Sequence, residues 1–306
     1  MNEIIAPIDR ALLESELTNE RFVRYTNKGN NEIYIVNHHN SPNVMREIGR
    51  LRELSFRSAG GGTGLDCDID HYDTDEICYE QLIVYSREDK EIIGGYRFIE
   101  VNKAIQPDGT VGISTASYFD FSEKFLKEYA PYTVELGRSW VQPGYQPAVN
   151  PRKGIFALDN IWDGLGALTK LYNVQYFFGK VTMYPNYDPK ARDILLYFMN
   201  YYFPDTDNLM KPKKPLEIKS DIKEFEEIFD GLNFTDGFKA LNSYVRALNE
   251  TIPPLVNIYM GLSPTMKTFG TMENTDFGNV EETGIMVTIA DVYEEKKERH
   301  INTFDL

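Results

Sequence analysis

The chain has 306 residues, of which 42% are hydrophobic and 26% charged, a composition typical of a globular protein. Its formal net charge of -15 at pH 7 argues against broad contact with nucleic acid or anionic lipid, because both favour positive surfaces. No apolar run approaches the roughly 18 residues that a membrane span needs, and the N-terminus lacks the features of a signal peptide. We therefore expect a cytoplasmic protein in which Cys67 and Cys78 are free thiols.

The first half of the chain predicts a helix followed by strands. Residues 42–57 have apolar side chains at helical spacing and predict an amphipathic helix, which a glycine-rich loop follows. The segments EQLIVYS and EIIGGYRFIEV predict two strands joined by a hairpin turn. Residues 118–130 predict a short helix, and TVELGRSWVQP predicts a buried strand.

The second half predicts a strand, helix, strand, helix unit. Residues 154–172 and the helix that follows the strand NVQYFFGKVTMY both have helical periodicity. Asp188 and Pro189 are typical of the first positions of that second helix. This order of elements implies locally parallel strands.

The pattern of the last hundred or so residues predicts a helical insertion followed by two strands that join the sheet. Residues 203–220 are predicted to be an exposed segment. Helices are predicted at residues 221–230 and 235–250, and strands at residues 265–271 and 283–292. We therefore expect a single α/β domain over residues 1–306, with a mixed twisted sheet flanked by helices. Its core is expected at about 44–203 and 252–292, with the helical insertion at about 204–251.

One segment resembles a branch of the acyltransferases. Residues 135–139 read ELGRS, an apolar helix follows, and the next strand contains the pair Phe178 and Gly179. This pattern resembles the hemolysin-like branch of the GNAT superfamily, which includes the N-acyltransferases that make ornithine and glycine lipids. The tail segment PPLVNIYMGL is similar to the P-x-L-x-x-x-Y-x-x-L segment of that branch, so the resemblance covers about residues 44–292 and implies the GNAT fold.

A second set of motifs is similar to the acyl-homoserine-lactone synthases, which share this architecture. Those enzymes carry an Arg and a Phe on an early helix, a D-x-x-D loop, an Arg at a strand end and an E-x-x-R strand. The matching residues here are Arg52, Phe56, Asp70, Asp73, Arg97, Glu135 and Arg138. The segment SAGGGTGL stands where those synthases have a tryptophan, which argues against lactone formation more than against acyl transfer.

The acidic segment DCDIDHYDTDE has three interpretations. By the resemblance, Asp70 and Asp73 pair with Arg52 or Arg97 and hold the active-site loop. A solvated acidic loop is the alternative. A calcium loop is disfavoured because His71 replaces its required glycine, so we expect no metal.

Acyl transfer to an amine needs a base for the amine and a proton for the leaving thiolate. The resemblance implies that Glu135 acts on the amine and that Arg138 holds the amine or the strand. Side chains alternate along a strand, so the two face one side only if a bulge, which Gly137 would tolerate, lies between them. A buried structural pair is the alternative. Tyr197 is the favoured acid among the tyrosines of its helix.

Two surfaces are candidates for binding the carrier of the acyl group. The resemblance places its phosphates at a helix N-terminus, where the chain has Arg152, Lys153, Gly154 and Ile155. Pro151 and Phe156 depart from the family pattern Q/R-x-x-G-x-G/A, so a solvated loop is the alternative there. The basic residues Lys211, Lys213 and Lys214 are a candidate docking surface for acidic acyl carrier protein, or else belong to a solvated loop.

These observations predict an N-acyltransferase that acts in amino-lipid biosynthesis. It is expected to move an acyl group, a long 3-hydroxyacyl chain on acyl carrier protein or acyl-CoA, onto the amine of an amino acid without a tightly bound cofactor. A small-molecule acetyl-CoA N-acetyltransferase and a non-catalytic GNAT-fold binding protein are the alternatives. A long apolar tunnel would favour the long acyl chain, and a shallow, closed pocket would favour acetyl transfer. The enzyme is expected in the cytoplasm, at most peripheral to the inner membrane.

Overall fold

The computed structural model describes residues 1–305 and has one large mixed sheet. The strands are β1 (Phe22–Tyr25), β2 (Glu32–Val36), β3 (Glu80–Ser86), β4 (Glu91–Glu100), β5 (Phe119–Phe121), β6 (Thr133–Val141), β7 (Tyr176–Met183), β8 (Met210–Pro212), β9 (Lys267–Asn274) and β10 (Val280–Thr288). Eight of them pair in the order β1-β2-β3-β4-β6-β7-β10-β9, and β5 and β8 form a separate two-stranded sheet. Among the described strands, only β6 and β7 are parallel neighbours in the large sheet. The predicted mixed α/β sheet is therefore confirmed.

Helices cover both faces of the large sheet. They are α1 (Arg10–Glu16), α2 (Pro42–Ser58), α3 (His71–Thr74), α4 (Pro151–Gly154), α5 (Ala157–Leu171), α6 (Pro189–Tyr202), α7 (Ile222–Phe229), α8 (Phe234–Ala247), α9 (Pro254–Met260) and α10 (Glu294–Lys296). The predicted start of α6 is confirmed, since the Asp188 carboxylate accepts the backbone N–H groups of Lys190 and Ala191 at 2.8 and 2.9 Å. No helix within residues 1–305 is long and apolar enough to cross a membrane.

The two faces can be identified from the alternation of side chains along β3. Ile83 and Tyr85 pack in one core cluster with α2, whereas Leu82 and Val84 pack in another with α5. Because neighbouring side chains of a strand point to opposite faces, α2 and α5 lie on opposite sides of the sheet. We call these the α2 face and the α5 face.

The tail strands β10 and β9 form one end of the large sheet. β10 pairs with β7 along its length, from Glu281 opposite Met183 to Thr288 opposite Tyr176, and β9 forms the edge beyond it. The sheet also contains β1 and β2, which precede the core expected to begin at about residue 44. We propose that the described chain folds as one unit, because β7 is buried between segments far apart in sequence.

Residues 118–130 and part of 203–220 differ from the predictions. Instead of one short helix, residues 118–130 form β5 and a single π-helical turn at Phe125–Tyr129. The segment 203–220 is not wholly exposed, since Leu209 and Met210 are buried in one core cluster with Phe125. Both differences have one cause: β5 pairs with β8, and local periodicity does not reveal a partner so distant in sequence.

Deletion of residues 253–306 tests whether the chain folds as one unit. The deletion removes β9 and β10 and exposes the edge of β7 together with its apolar neighbours, so we expect loss of cooperative unfolding and aggregation. Circular dichroism with urea denaturation provides the measurement. A monomeric truncated protein that unfolds in one cooperative transition would contradict the proposal.

Candidate active site

A bulge interrupts β6 beside its neighbour β4. Gly95 pairs with Trp140 and Arg97 pairs with Gly137, so β6 has one more residue than β4 between these pairs. Arg138 takes up the difference with a left-handed backbone φ of 48°. The predicted bulge is confirmed, but the left-handed residue is Arg138 and not Gly137, which has no positive φ.

The Arg138 guanidinium is held by a buried acid. Its Nε donates to Asp68 Oδ2 at 2.9 Å and its terminal nitrogen donates to Oδ1 at 3.2 Å. The same carboxylate accepts Nε of Arg52 from α2 at 3.0 Å. Sequence reasoning considered Asp68 only as part of a disfavoured calcium loop.

The other charges of this group pair as the resemblance implied. Arg52 donates to Asp73 at 2.9 Å, and Arg97 donates to Asp70 at 2.9 Å and to Asp73 at 3.3 Å. The arginine–aspartate cluster, as we call it, therefore joins α2, the 68–73 loop, β4 and β6. Its members are Arg52, Asp68, Asp70, Asp73, Arg97 and Arg138.

Two acids of the cluster, Asp68 and Asp73, are held in the charged form. Burial by itself would raise the pKa of Asp73, but Arg52 and Arg97 outweigh this effect and hold the pKa well below its usual range. Asp68 behaves in the same way, since Arg138 and Arg52 lower its pKa against the effect of burial. Charge balance is required here, because a buried charge without a partner is strongly destabilising.

Glu135 lies on β6 but lines neither of the two large cavities described below. Its side chain is fully buried, and its carboxylate accepts hydrogen bonds from the Tyr79 hydroxyl, from Ser114 Oγ at 3.1 Å and from the Thr115 N–H at 3.1 Å. Burial, and then the Glu135 charge, raise the pKa of Tyr79 well above its usual value. Ser114 does line the neighbouring cavity, so its hydroxyl connects that cavity with Glu135.

The large sheet opens between β6 and β7. The two strands pair only from Thr133 opposite Tyr176 to Leu136 opposite Gly179, although both continue beyond these residues. A cavity of about 360 Å³ follows the separation. Its lining includes Phe56 from α2 and Leu158 from α5, which lie on opposite faces, so the cavity passes through the sheet. We call it the through-sheet cavity.

Three cations and one acid line the through-sheet cavity. They are Arg97, Arg138, Lys180 and Glu282. Lys180 Nζ lies 2.6 Å from Glu282 Oε2 and 3.7 Å from the centre of the Tyr118 ring. Sequence reasoning missed both members of this pair; the one signal was a lone lysine in the otherwise uncharged strand YFFGKVTM.

The predicted phosphate-binding residues lie beside the α5 face in a different local structure. Residues 151–154 form α4, and α5 begins only at Ala157. A Cβ on Gly154 would lie 2.5 Å from the Pro147 nitrogen, so close packing alone requires a glycine there. Lys153 pairs with Asp89 at 2.6 Å, while Arg152 and Ile155 are exposed.

A second cavity of about 520 Å³ lies between α5, α8, α9 and the C-terminal residues. Its apolar lining includes Ile155, Trp162 and Phe238, and it shares Leu158 with the through-sheet cavity. Tyr197 lines neither cavity. Its ring packs against aromatic side chains of α6 and α7, which are Tyr201, Phe225 and Phe229.

Asp73→Asn tests the role of the cluster. It leaves Arg52 and Arg97 with less compensating charge in a buried site, so we expect the free energy of unfolding at pH 7 to fall by about 3–5 kcal/mol. A folded-state pKa below the unfolded value of about 3.9 stabilises the protein above that pH, and the contribution disappears as the pH falls towards the folded-state pKa. The free energies of unfolding of the wild type and the variant should therefore become more similar below about pH 4.

Urea denaturation between pH 7 and pH 3 measures this difference. Asp120→Asn is the matched control, since that side chain is 73% exposed and lies 3.9 Å from Lys213; we expect a change within about 0.5 kcal/mol. If Asp73→Asn lowers the free energy of unfolding by the same amount at pH 7 and at pH 3, the electrostatic explanation is contradicted.

The chain is similar to one family model and to several solved structures. Residues 51–151 match the model of the acetyltransferase (GNAT) domain. FeeM, an N-acyl amino acid synthase from uncultured soil microbes, is a similar solved structure with a TM-score of 0.41 and 10% identity, covering 85% of this chain and 92% of that one.

Two curated relatives are similar over almost their full length. A glycine N(alpha)-acyltransferase from Phocaeicola vulgatus is 54% identical over 99% of this chain and 94% of the relative. A second glycine N(alpha)-acyltransferase, from Bacteroides thetaiotaomicron, is 52% identical over 99% of this chain and 91% of the relative. The expected GNAT resemblance is therefore confirmed, and the chain belongs to the same family of GNAT acyltransferases as these two enzymes.

Proposed function

We propose that this acyltransferase moves an acyl group from a thioester onto the α-amine of an amino acid, with glycine as the first acceptor to test. The observation that carries the proposal is the through-sheet cavity, because it gives a thioester and an amine access to each other from opposite faces. The two relatives are named for glycine acylation, which supports this choice of acceptor.

The separated strands suit the arm of a thioester carrier. Beyond Leu136 and Gly179 the facing edges of β6 and β7 no longer pair with each other. Backbone N–H and C=O groups need hydrogen-bond partners, and an extended chain can pair with such an edge as an added strand. The phosphopantetheine arm that CoA and acyl carrier protein share has amide groups in an extended chain and can fill this position.

We place the entry of the carrier arm on the α5 face. Arg152 is exposed there beside the start of α5, and its charge favours the phosphates of the carrier. Of the candidate docking residues Lys211, Lys213 and Lys214, Lys213 is connected to the other mouth through Tyr118. The Lys213 N–H donates to Tyr118 O at 2.8 Å, and the Tyr118 ring contacts Lys180 on the α2 face. Docking of acyl carrier protein at these lysines is therefore the less favoured arrangement.

The α2 face suits an amino acid. The three cations of the cavity favour the acceptor carboxylate, since cations bind carboxylates through charge-assisted hydrogen bonds. Glu135 is fully buried, but Ser114 Oγ donates to it at 3.1 Å and lines the cavity. We propose that Glu135 takes the proton of the attacking amine through the Ser114 hydroxyl and that Arg138 positions the acceptor.

The second cavity favours a long acyl chain over an acetyl group. It adjoins the through-sheet cavity at Leu158, and its apolar wall includes Trp162, Phe234 and Phe238. Burial of apolar chain stabilises a complex by about 0.8 kcal/mol per CH₂. We propose that the donor carries a long, 3-hydroxylated acyl chain and that the product enters amino-lipid biosynthesis in the cytoplasm.

Glu135→Gln tests the proposed base. The amide keeps the shape of the side chain but cannot take a proton, so turnover with an acyl thioester and glycine should fall by about 10²–10⁴-fold. The pH profile of turnover between pH 6 and 9 is the measurement. Glu273→Gln is the control, because that residue is exposed on β9. A folded Glu135→Gln enzyme with near-wild-type turnover across this range would show that Glu135 is structural.

Charge reversal tests the entry of the donor. Arg152→Glu should raise KM for the acyl donor about 10- to 100-fold, in line with the roughly 1.5–3 kcal/mol of a charged hydrogen bond, and should leave KM for glycine unchanged. Lys211→Glu combined with Lys214→Glu is the matched comparison and should change neither value. Steady-state kinetics with acyl-CoA and with acyl carrier protein distinguishes the two donors. A donor KM that responds only to the lysine variant would place the entry on the α2 face.

A further inference from the structure

Lys180 lies where the two parallel strands separate. The last pair between β6 and β7 is Leu136 opposite Gly179, and Lys180 is the next residue of β7. Its side chain points to the α2 face, because Phe177 packs in the core cluster with α5 and Lys180, three residues further along the strand, lies on the opposite side. Lys180 therefore lies at the position where a thioester held between the strands reaches the acceptor side.

The ammonium group of Lys180 is fixed by its surroundings. It lies 2.6 Å from Glu282 Oε2, which also accepts from Asn274 Nδ2 at 3.1 Å, and it lies over the Tyr118 ring. The side chains of Lys180 and Glu282 are only 12% and 6% exposed. A buried ion pair of this kind contributes little to the free energy of folding, because removing both charges from water is costly. We therefore expect the pair to have a functional role.

The reaction lacks a proton donor for its leaving group if only the predicted residues are considered. Tyr197, the predicted acid, packs in an aromatic cluster with α7 and lines neither cavity. Lys180 lines the through-sheet cavity and the narrow apolar space beside it. Its N–H bonds are therefore available in the space that the carrier arm would occupy.

We propose that Lys180 donates the proton that the leaving thiolate takes up and that Glu282 is a positioning residue that holds the ammonium at the strand separation. The proposal rests on the proposed function, since it assigns the acid of that same acyl transfer. It makes Lys180 a catalytic residue, because its Nζ touches the departing sulfur.

The proposed step balances in atoms and electrons. The lone pair of the amine forms the N–C bond to the thioester carbonyl carbon, and the C–S bond breaks with its electron pair on sulfur. The sulfur takes a proton from Lys180 Nζ, which gives a free thiol and a neutral lysine. The proton that the nitrogen loses leaves through Ser114 to Glu135, and solvent exchange restores both residues. The products are the N-acyl amino acid and the thiol of the carrier.

The charges around Lys180 define its pH dependence. Burial lowers the pKa of Lys180 and outweighs the opposing effect of Glu282; Arg138 lowers it further and Glu135 raises it. Tyr118 also contacts Lys180, and burial raises its own pKa; Arg97 and Tyr184 line the same cavity. A proton donor works best when its pKa lies near the working pH. Turnover should therefore fall as the pH rises through the lowered pKa, because the ammonium is lost.

Leaving-group replacement is the decisive experiment. Wild type, Lys180→Met and Lys180→Arg are compared on two acyl donors with glycine: an alkyl thioester of CoA, and an aryl thioester whose thiolate departs without protonation. Lys180→Met should lower turnover on the alkyl thioester by about 10²–10⁴-fold but by only a few-fold on the aryl thioester. Lys180→Arg keeps the positive charge but does not release a proton near neutral pH, so it should behave like Lys180→Met.

Control variants separate the loss of the Lys180 proton donor from general effects of the substitution. Lys239→Met is the matched control, since that lysine is 72% exposed and pairs only with Asp236. If Lys180→Met fails to fold, Lys180→Met combined with Glu282→Gln removes the unpaired buried acid and takes its place. Glu282→Gln alone should lower turnover less than Lys180→Met and shift the high-pH limb of the profile.

Three outcomes would overturn the inference: near-wild-type turnover of Lys180→Met, equal losses on both donors, or recovery of activity in Lys180→Arg. A wild-type protein that acylates glycine with neither donor would instead overturn the proposed function. The two failures are distinguishable, because the first requires an active wild-type enzyme.

Discussion

The ion pair between Arg138 and Asp68 holds a strand in a conformation that it would not adopt alone. A left-handed backbone costs a non-glycine residue about 1–2 kcal/mol, and Arg138 adopts it in the middle of β6 with φ at 48°. The Asp68 carboxylate accepts two nitrogens of this guanidinium, and hydrogen bonds between charged groups contribute about 1.5–3 kcal/mol each. The interaction is therefore strong enough to offset the strain. It is expected to fix the bulge at the point where β6 leaves β7.

The rest of the arginine–aspartate cluster makes this ion pair rigid. Arg52 connects Asp68 to Asp73, and Arg97 connects Asp73 to Asp70, so three guanidinium groups meet three carboxylates. Replacement of such a buried network by apolar side chains is often neutral or stabilising, and we therefore interpret the cluster as a positioning device. It joins α2 and β4 to the bulge, and both contribute lining to the through-sheet cavity.

The cavity divides the proposed reaction between two faces. The α5 face offers a free strand edge and an exposed arginine, which suit a phosphorylated carrier. The α2 face offers Arg138, Lys180 and Glu282, which suit a small zwitterion. A GNAT fold with these features can bring a neutral amine to a thioester while the two substrates enter by separate routes. Entry by separate routes lets substrates of very different length meet at one point.

Local patterns predicted much of the fold but only part of the site. The helix at 42–57 and the strands on both sides of the 87–90 turn follow from side-chain periodicity, and the pairs of Asp70 and Asp73 with arginines follow from the family resemblance. The pair β5–β8 and the contact between Lys180 and Glu282 depend on strand register between distant segments. Register is a tertiary property that a single strand does not specify. The bulge was predictable, but its left-handed residue was not, because the cost to Arg138 is balanced by Asp68 in another part of the chain.

The central claim is that the carrier arm passes through the sheet between β6 and β7. A crystal structure of the protein with glycine and a thioether analogue of a long-chain acyl-CoA tests it most directly. The account predicts that the pantetheine amides pair with the backbone beyond Leu136 and Gly179, that the sulfur lies beside Lys180, and that glycine lies on the α2 face near Arg138. An analogue bound on the outer surface of α5 and α8, with β6 and β7 closed and empty between them, would contradict the account.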